Sequence, residues 1–329
     1  MSNPHSTKQD ALTPTGTGSR PRLWIIDALR GVALIAMATY HFSWDLANFH
    51  YLDPVTVGTG AFKIYARGIA SSFLFLAGFS LVLGQYPVFR TRPFLIRLAK
   101  IVAAAALVTV ATYFIFPDAF IFFGILHSIA AASIIGLAFL RLPPLLTIVV
   151  GLAVLVAPLY LRSPVFDIPA LWWVGLSETL PRSNDYVPLL PWLAPFLFGI
   201  AAARIARTTG FLERLRSDGS GRIKTGLATL GRYSLSFYLI HQPVLFALVA
   251  GFAWAFPPDE VALSRPSCVA TCTQENPAAF CEAFCDCALN ALSDQGVLKP
   301  LNEGQVDGST DERVIAVQNQ CTASAQALR

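Results

Sequence analysis

Residues 23–49 read LWIIDALRGVALIAMATYHFSWDLANF, an apolar run that is interrupted by polar and charged side chains. A helix turns by about 100° per residue, so these interruptions share one face. They are Asp27, Arg30, His41, Asp45 and Asn48. An ionisable side chain near the bilayer centre costs on the order of 2.5–3.5 kcal/mol, and such groups therefore usually face a bundle interior or a watery cavity. The pattern predicts a polar site inside a membrane protein.

Composition supports a membrane protein. The 329 residues are 54% hydrophobic and 13% charged, which is atypical of a soluble globular chain. Residues 1–22 are rich in Ser, Thr, Pro and Gly and lack the apolar core and cleavage site of a signal peptide. They predict a disordered cytoplasmic tail.

Spanning a bilayer takes about 20 apolar residues in a helix, and seven stretches reach or approach this length. The stretches are Leu23–Phe49, Ala61–Gly84, Phe94–Phe116, Ala119–Leu140, Leu145–Leu161, Leu189–Ala206 and Leu230–Phe256. We therefore expect an all-α, polytopic membrane bundle of about seven helices, with a small disulfide-rich C-terminal appendage. The expected domains are the tail 1–22, the membrane domain 23–256 and a cysteine-rich tail 257–329.

Basic residues set the expected orientation. They are concentrated before the first stretch, at 90–100, at Arg141 and at 204–224, whereas the loops 48–60 and 117–119 contain none. The positive-inside rule then places the N-terminus in the cytoplasm and the C-terminal tail outside it. We expect an integral protein of a bacterial inner membrane with a periplasmic tail.

All six cysteines lie in that tail. They are Cys268, Cys272, Cys281, Cys285, Cys287 and Cys321. An oxidising compartment favours three disulfides, and the two Cys-x3-Cys spacings favour a cross-linked helical hairpin around Asn276-Pro277. A metal cluster is the competing interpretation, which the lack of a nearby histidine disfavours.

Four segments follow one another in a characteristic order. The first runs from Arg22 through Asp27-Ala-Leu-Arg30-Gly31 to His41 and Asp45, and the others are Ser71–Ser80, Phe123–Ala130 and Leu230–Pro243. Together they resemble the heparan-α-glucosaminide N-acetyltransferase catalytic family, and more broadly the transmembrane acyltransferases.

The resemblance implies transfer of an acetyl group from cytoplasmic acetyl-CoA to an amino sugar or glycan on the far side of the membrane. His41 is the candidate general base or acyl acceptor, because imidazole can do either near neutral pH. Asp45, one turn further on, is the candidate group that orients the imidazole. Arg30, about 16 Å below His41 by helical rise, and Asp27, about one turn further down, are candidates for binding the acyl donor, and a purely structural Asp27–Arg30 pair is the alternative.

Three further residues are candidates for substrate or donor binding: Arg67, His127 and His241. Arg67 either contacts an acceptor or pairs with Asp45 or Asp53. Each histidine, His41 included, has the alternative of an interhelical hydrogen bond without a chemical role.

The resemblance does not include the large amino-terminal luminal domain of the animal enzymes, so we expect bacterial envelope glycans rather than heparan as acceptors. The sequence contains no phosphate-binding glycine loop, zinc motif or nucleic-acid patch, so we expect no metal cofactor and no nucleic-acid partner. The expected partners are the lipid bilayer and a glycan or amino-sugar acceptor, and a homodimer is left open. A transporter of a small anion or proton is the main alternative function, and a non-catalytic anchor for the tail is a third.

Overall fold

The structure is a computed structural model that describes residues 23–214 and 221–327. The predicted cytoplasmic tail at 1–22 lies outside these residues. The described part is helical and contains no strand, which confirms the all-α fold class.

The first part of the chain forms helices of very unequal length. They are α1 (Trp24–Asn48), α2 (Pro54–Gly58), α3 (Gly60–Gln85), α4 (Thr91–Ile115), α5 (Ile125–Gly136), α6 (Pro144–Tyr160), α7 (Leu189–Thr208), α8 (Phe211–Arg214), α9 (Arg222–Arg232) and α10 (Ser234–Ala255). Within the described ranges, five are long and apolar enough to cross a membrane: α1, α3, α4, α7 and α10. The apolar helices α5 and α6 are shorter, with 12 and 17 residues.

Each of the seven predicted stretches overlaps one of these apolar helices. The predicted start of the seventh is wrong, because α9 ends at Arg232 and α10 begins at Ser234. Both α9 and α10 contact α1, one before and one after the break at Tyr233.

Glycines allow the closest helix crossings. A Cβ atom at Gly231 would overlap the carbonyl oxygen of Asp27, and one at Gly31 would overlap that of Leu227. The α1–α9 crossing therefore brings two backbones into contact, as small residues permit in membrane bundles. Gly78 of α3 and Gly199 of α7 make the same kind of crossing.

The main apolar core surrounds α7, which contacts α3, α5 and α6. Phe196, Leu197 and Ile200 of this helix have no exposed surface. Many side chains on the outer faces of the bundle are large, apolar and exposed, as Phe114 and Leu159 are. This distribution is that of a bundle whose surroundings are lipid.

Helices α1 and α10 run in the same direction. His41 contacts His241, Phe49 contacts Phe246 and Tyr51 contacts Phe252. The residue numbers of the contacting pairs thus increase together from α1 into the residues that follow it and along α10. The Tyr51 hydroxyl also donates to the carbonyl oxygen of Phe256 at the end of α10.

The cysteine-rich C-terminal tail folds around a second, smaller core. Its helices are α11 (Glu260–Cys272), α12 (Ala278–Asp294), α13 (Leu298–Asn302) and α14 (Glu312–Gln326). Their buried apolar side chains form one cluster, and every described member of that cluster belongs to this C-terminal tail.

Three disulfides cross-link this tail, as predicted. Cys268 pairs with Cys285, Cys272 with Cys281, and Cys287 with Cys321. The first two bonds connect α11 to α12 and confirm the cross-linked helical hairpin. Spacing by four residues puts two cysteines on one face of each helix, and antiparallel packing then pairs the outer two and the inner two.

Candidate active site

His41 and Asp45 are joined through a residue of α10. The side-chain amide of Gln242 places its Oε1 2.8 Å from His41 Nδ1 and donates from Nε2 to Asp45 Oδ1 over 2.8 Å. The sequence suggested direct contact between Asp45 and the imidazole, whereas the structure gives a bridged contact. Asp45 is almost fully buried, with 3% of its surface exposed.

His241 lies on the other side of His41. The two ring centroids are 5.0 Å apart and the rings meet edge to face at 76°. The His241 ring stacks on Phe237, and its Nδ1 lies 2.8 Å from the carbonyl oxygen of Tyr238. A carbonyl oxygen only accepts hydrogen bonds, so this nitrogen carries the hydrogen.

Two buried atoms in this cluster have no hydrogen-bond partner among the described residues. They are Asp45 Oδ2 and His241 Nε2. Buried polar atoms in native proteins are nearly always hydrogen-bonded, and exceptions are often found at functional sites. The cluster therefore has hydrogen-bonding capacity that the protein itself does not use.

Arg30 and Asp27 form a second polar level. The Arg30 guanidinium contacts Asp27 Oδ1 at 2.9 Å and donates to Ser80 Oγ of α3 over 2.5 Å. Gly31 and Gly231 bring the α9 backbone to the same level. The Asp-x-x-Arg-Gly segment thus joins α1 to α3 and α9 at one point.

Arg97 belongs to this level as well. It is one of the basic residues at 90–100 that the positive-inside rule places in a cytoplasmic connection, and the structure places it in the second turn of α4. Its charge interacts with that of Arg30. The level therefore contains two guanidinium groups and the carboxylate of Asp27.

His127 is held away from His41 by its own hydrogen bonds. Its Nδ1 accepts from the backbone N–H of Gly124 over 3.2 Å, and its Nε2 lies 3.2 Å from Thr109 Oγ1. Both ring nitrogens are thereby occupied. The contact with Thr109 of α4 is an interhelical hydrogen bond, the alternative to a chemical role for His127.

Asp185 completes the N-terminal turn of α5. Its Oδ2 accepts from the backbone N–H of Ile125 over 2.8 Å. A Cβ atom at Gly124 would overlap this carboxylate, which explains the glycine in that segment. Burial raises the pKa of the Asp185 carboxyl from its ordinary value of 3.8 to about 6.

Arg67 and Asn48 lie outside the cluster. Both side chains are exposed. The two carboxylates proposed as partners of Arg67 are bonded elsewhere, because Asp45 accepts from Gln242 and Asp53 accepts from the backbone N–H of Val55. The structure brings His41, Asp45 and His241 together, and it leaves Arg67 and His127 apart from them.

Sequence reasoning missed the roles of Gln242 and Ser80. Both stand inside segments that carried the family resemblance, directly after His241 and directly after Phe79. A polar residue in an apolar helix is a signal, but it does not say which helix the residue faces.

Residues 22–243 match the family described as heparan-alpha-glucosaminide N-acetyltransferase, catalytic. The chain belongs to this family. The matched region ends one residue after Gln242, so it contains the cluster around His41 and the polar level around Arg30. Membership indicates a membrane acetyltransferase. No curated protein and no solved structure matches the sequence significantly.

Proposed function

We propose that this acetyltransferase moves an acetyl group from cytoplasmic acetyl-CoA to an amino sugar or glycan on the opposite side of the membrane. The observation that carries the proposal is the cluster of His41, Gln242, Asp45 and His241. It combines an imidazole, a carboxylate and unused hydrogen-bonding atoms in the interior of an apolar bundle.

The chemistry requires one proton acceptor. The nitrogen or oxygen of the acceptor attacks the thioester carbonyl carbon, its proton passes to His41, and the carbon–sulfur bond breaks to release the CoA thiolate. The proton then passes from His41 to that thiolate, so charge and atoms balance. The alternative route forms an acetyl-imidazole on His41, which the acceptor then attacks.

Asp45 has an electrostatic role in either route. A buried carboxylate favours a positive charge on a neighbouring imidazole, and Gln242 conveys this through a hydrogen bond. His241 provides a second ring against His41, with a nitrogen available to bind the acceptor. His127 and Arg67 remain weaker candidates for binding, because neither contacts this cluster.

The lower level suits the acyl donor. At this level Arg30 and Arg97 carry two positive charges and Asp27 carries one negative charge, and guanidinium groups bind phosphates well. The two levels are about 16 Å apart along α1, a length that an extended CoA arm can span.

Charge and helix direction support the proposed sidedness. The basic connections predict a cytoplasmic N-terminus, and the parallel packing of α1 with α10 supports an odd number of crossings between the ends. We accordingly propose a membrane domain at 23–256 and a separate periplasmic unit at 257–329 in a bacterial inner membrane. A homodimer stays an open prediction.

The direct test is acetyl transfer by the purified protein in lipid vesicles, with radiolabelled acetyl-CoA on one side and amino sugars on the other. We expect labelled product in the compartment opposite to the donor. Wild-type protein that binds no acetyl-CoA would instead support the transporter alternative.

A further inference from the structure

The amide of Gln242 has two chemically different ends, and its neighbours fix which end faces which. Its Nε2 can only donate and its Oε1 can only accept. Asp45 Oδ1 lies 2.8 Å from Nε2, and a carboxylate oxygen accepts that hydrogen bond. The amide oxygen consequently faces His41 Nδ1, also at 2.8 Å.

We propose that Gln242 is a positioning residue that holds His41 in the Nδ1–H tautomer, which leaves the lone pair on Nε2. An oxygen cannot donate, so the hydrogen between Gln242 and His41 belongs to the imidazole. Neutral imidazole has one N–H and one acceptor nitrogen. Nε2 is then the atom that takes the acceptor's proton or the acetyl group, and this deeper assignment rests on the proposed function.

The bridge explains why Asp45 does not contact the imidazole. A carboxylate that touched Nδ1 would fix the same tautomer but would also form an ion pair with the protonated ring. The neutral amide fixes the tautomer and keeps the negative charge one hydrogen bond further away. Such an arrangement lets the ring release its proton again, as each catalytic cycle requires.

His241 holds the same tautomer by different means. Its Nδ1 faces the carbonyl oxygens of Tyr238 and Phe237, at 2.8 and 3.2 Å. These are backbone atoms of its own helix, so the tautomer of His241 is independent of the Gln242 side chain. His241 is therefore an internal reference for any measurement on His41.

The test is NMR of the full-length protein in bilayers with ¹⁵N- and ¹³C-labelled histidine. The chain has 5 histidines, and the signals of His41 and His241 are assigned by substituting each in turn. We expect both rings to be Nδ1–H in the wild type. Gln242→Met should change the tautomer signature of His41 and leave that of His241 unchanged, whereas Gln242→Glu, which keeps an acceptor oxygen, should preserve both.

A wild-type His41 that carries its hydrogen on Nε2 would overturn the proposal, even if Gln242→Met failed to fold. An unchanged His41 signature in Gln242→Met would do so too. The spectra need no acetyl transfer, so they can fail while the proposed function stands, and the reverse also holds.

Kinetics supply a second readout. Loss of the correct tautomer should lower kcat of Gln242→Met by on the order of 10²-fold or more with KM for acetyl-CoA unchanged, and Gln242→Glu should recover part of the loss. The matched control is Gln85→Met, which removes a buried glutamine whose Oε1 accepts from the backbone N–H of Arg90. Equal losses in Gln242→Met and Gln85→Met would show a structural role only.

Discussion

The imidazoles of His41 and His241 are in edge-to-face contact although 200 residues separate them in the sequence. Gln242, the residue after His241, bonds to both His41 and Asp45. The first and last of the four segments that carry the family resemblance are therefore two halves of one site. Their parallel packing makes α1 and α10 the walls of the candidate active site.

The α1–α9 crossing should not tolerate a side chain at Gly231. Gly231→Ala places a methyl group against the carbonyl oxygen of Asp27, and overpacking of this kind costs about 1–3 kcal/mol. We expect a lower melting temperature in detergent, together with weaker acetyl transfer, because the shift moves Asp27 and Arg30.

Gly226→Ala is the matched control on the same helix. A Cβ atom there meets nothing within 4 Å, and alanine is the better helix former by up to about 1 kcal/mol. This variant should melt at the wild-type temperature or above it. Equal melting temperatures for the two variants would contradict the close crossing.

Asp185 should make stability depend on pH. Its pKa is about 6 in the folded protein against an ordinary 3.8, so the folded state binds the proton more tightly than the unfolded state does. The resulting stabilisation is fully present below the unfolded pKa and is lost as pH rises through the folded pKa. Asp185→Asn keeps an acceptor for the N–H of Ile125 and removes the charge, so its melting temperature should equal or exceed that of the wild type at pH 7.

Asp167 should make stability depend on pH in the opposite direction to Asp185. Hydrogen bonds from the Ser177 hydroxyl and from the backbone N–H of Thr179 and Glu178 hold its pKa below the ordinary value. Asp167→Asn should therefore lower the melting temperature at pH 7, and the difference should shrink as pH falls. Melting curves between pH 2 and 7 test both variants, because the contribution of Asp167 is lost only as pH falls through a pKa that lies below the ordinary 3.8. Shifts of the same sign at pH 7 would contradict the assignment.

The tail should be held by its disulfides, and the longest loop should matter most. The Cys287–Cys321 bond closes 34 residues and the Cys272–Cys281 bond closes 9; loop-closure entropy then predicts stabilisation of about 3.8 and about 2.6 kcal/mol. Proteolysis of a Cys287→Ser, Cys321→Ser variant should be faster than that of the variant lacking the shorter bond, with acetyl transfer retained.

The same cysteines report the side of the membrane. A membrane-impermeant thiol reagent should label none of the six in intact spheroplasts before reduction and should label the tail after reduction. Labelling that requires permeabilised cells would contradict the periplasmic position.

Periodicity was sufficient to place His41 and Asp45 on one face of α1, because the position of each side chain on a helix follows from its number, whereas Asn48 of the same predicted face is exposed. The same reasoning gave the all-helical bundle and the cysteine hairpin. It could not give the partner of His41, since α10 is apolar almost throughout and Gln242 marks no face by itself. It also could not separate His127 from the cluster, because the bonds to Gly124 and Thr109 depend on how α4 and α5 pack.

The central claim is that His41 carries acyl transfer, and its most direct test is radiolabelled acetyl transfer by His41→Ala in vesicles of known orientation. The matched control is His50→Asn, at a left-handed position with a φ of 61° that asparagine tolerates. Loss of a general base or acyl carrier costs on the order of 10²–10⁴ in rate, far more than a lost hydrogen bond of about 1 kcal/mol explains. We predict a loss in that range for His41→Ala with normal insertion, a smaller loss for Asp45→Asn and near-normal transfer for His50→Asn, whereas wild-type transfer by His41→Ala would contradict the account.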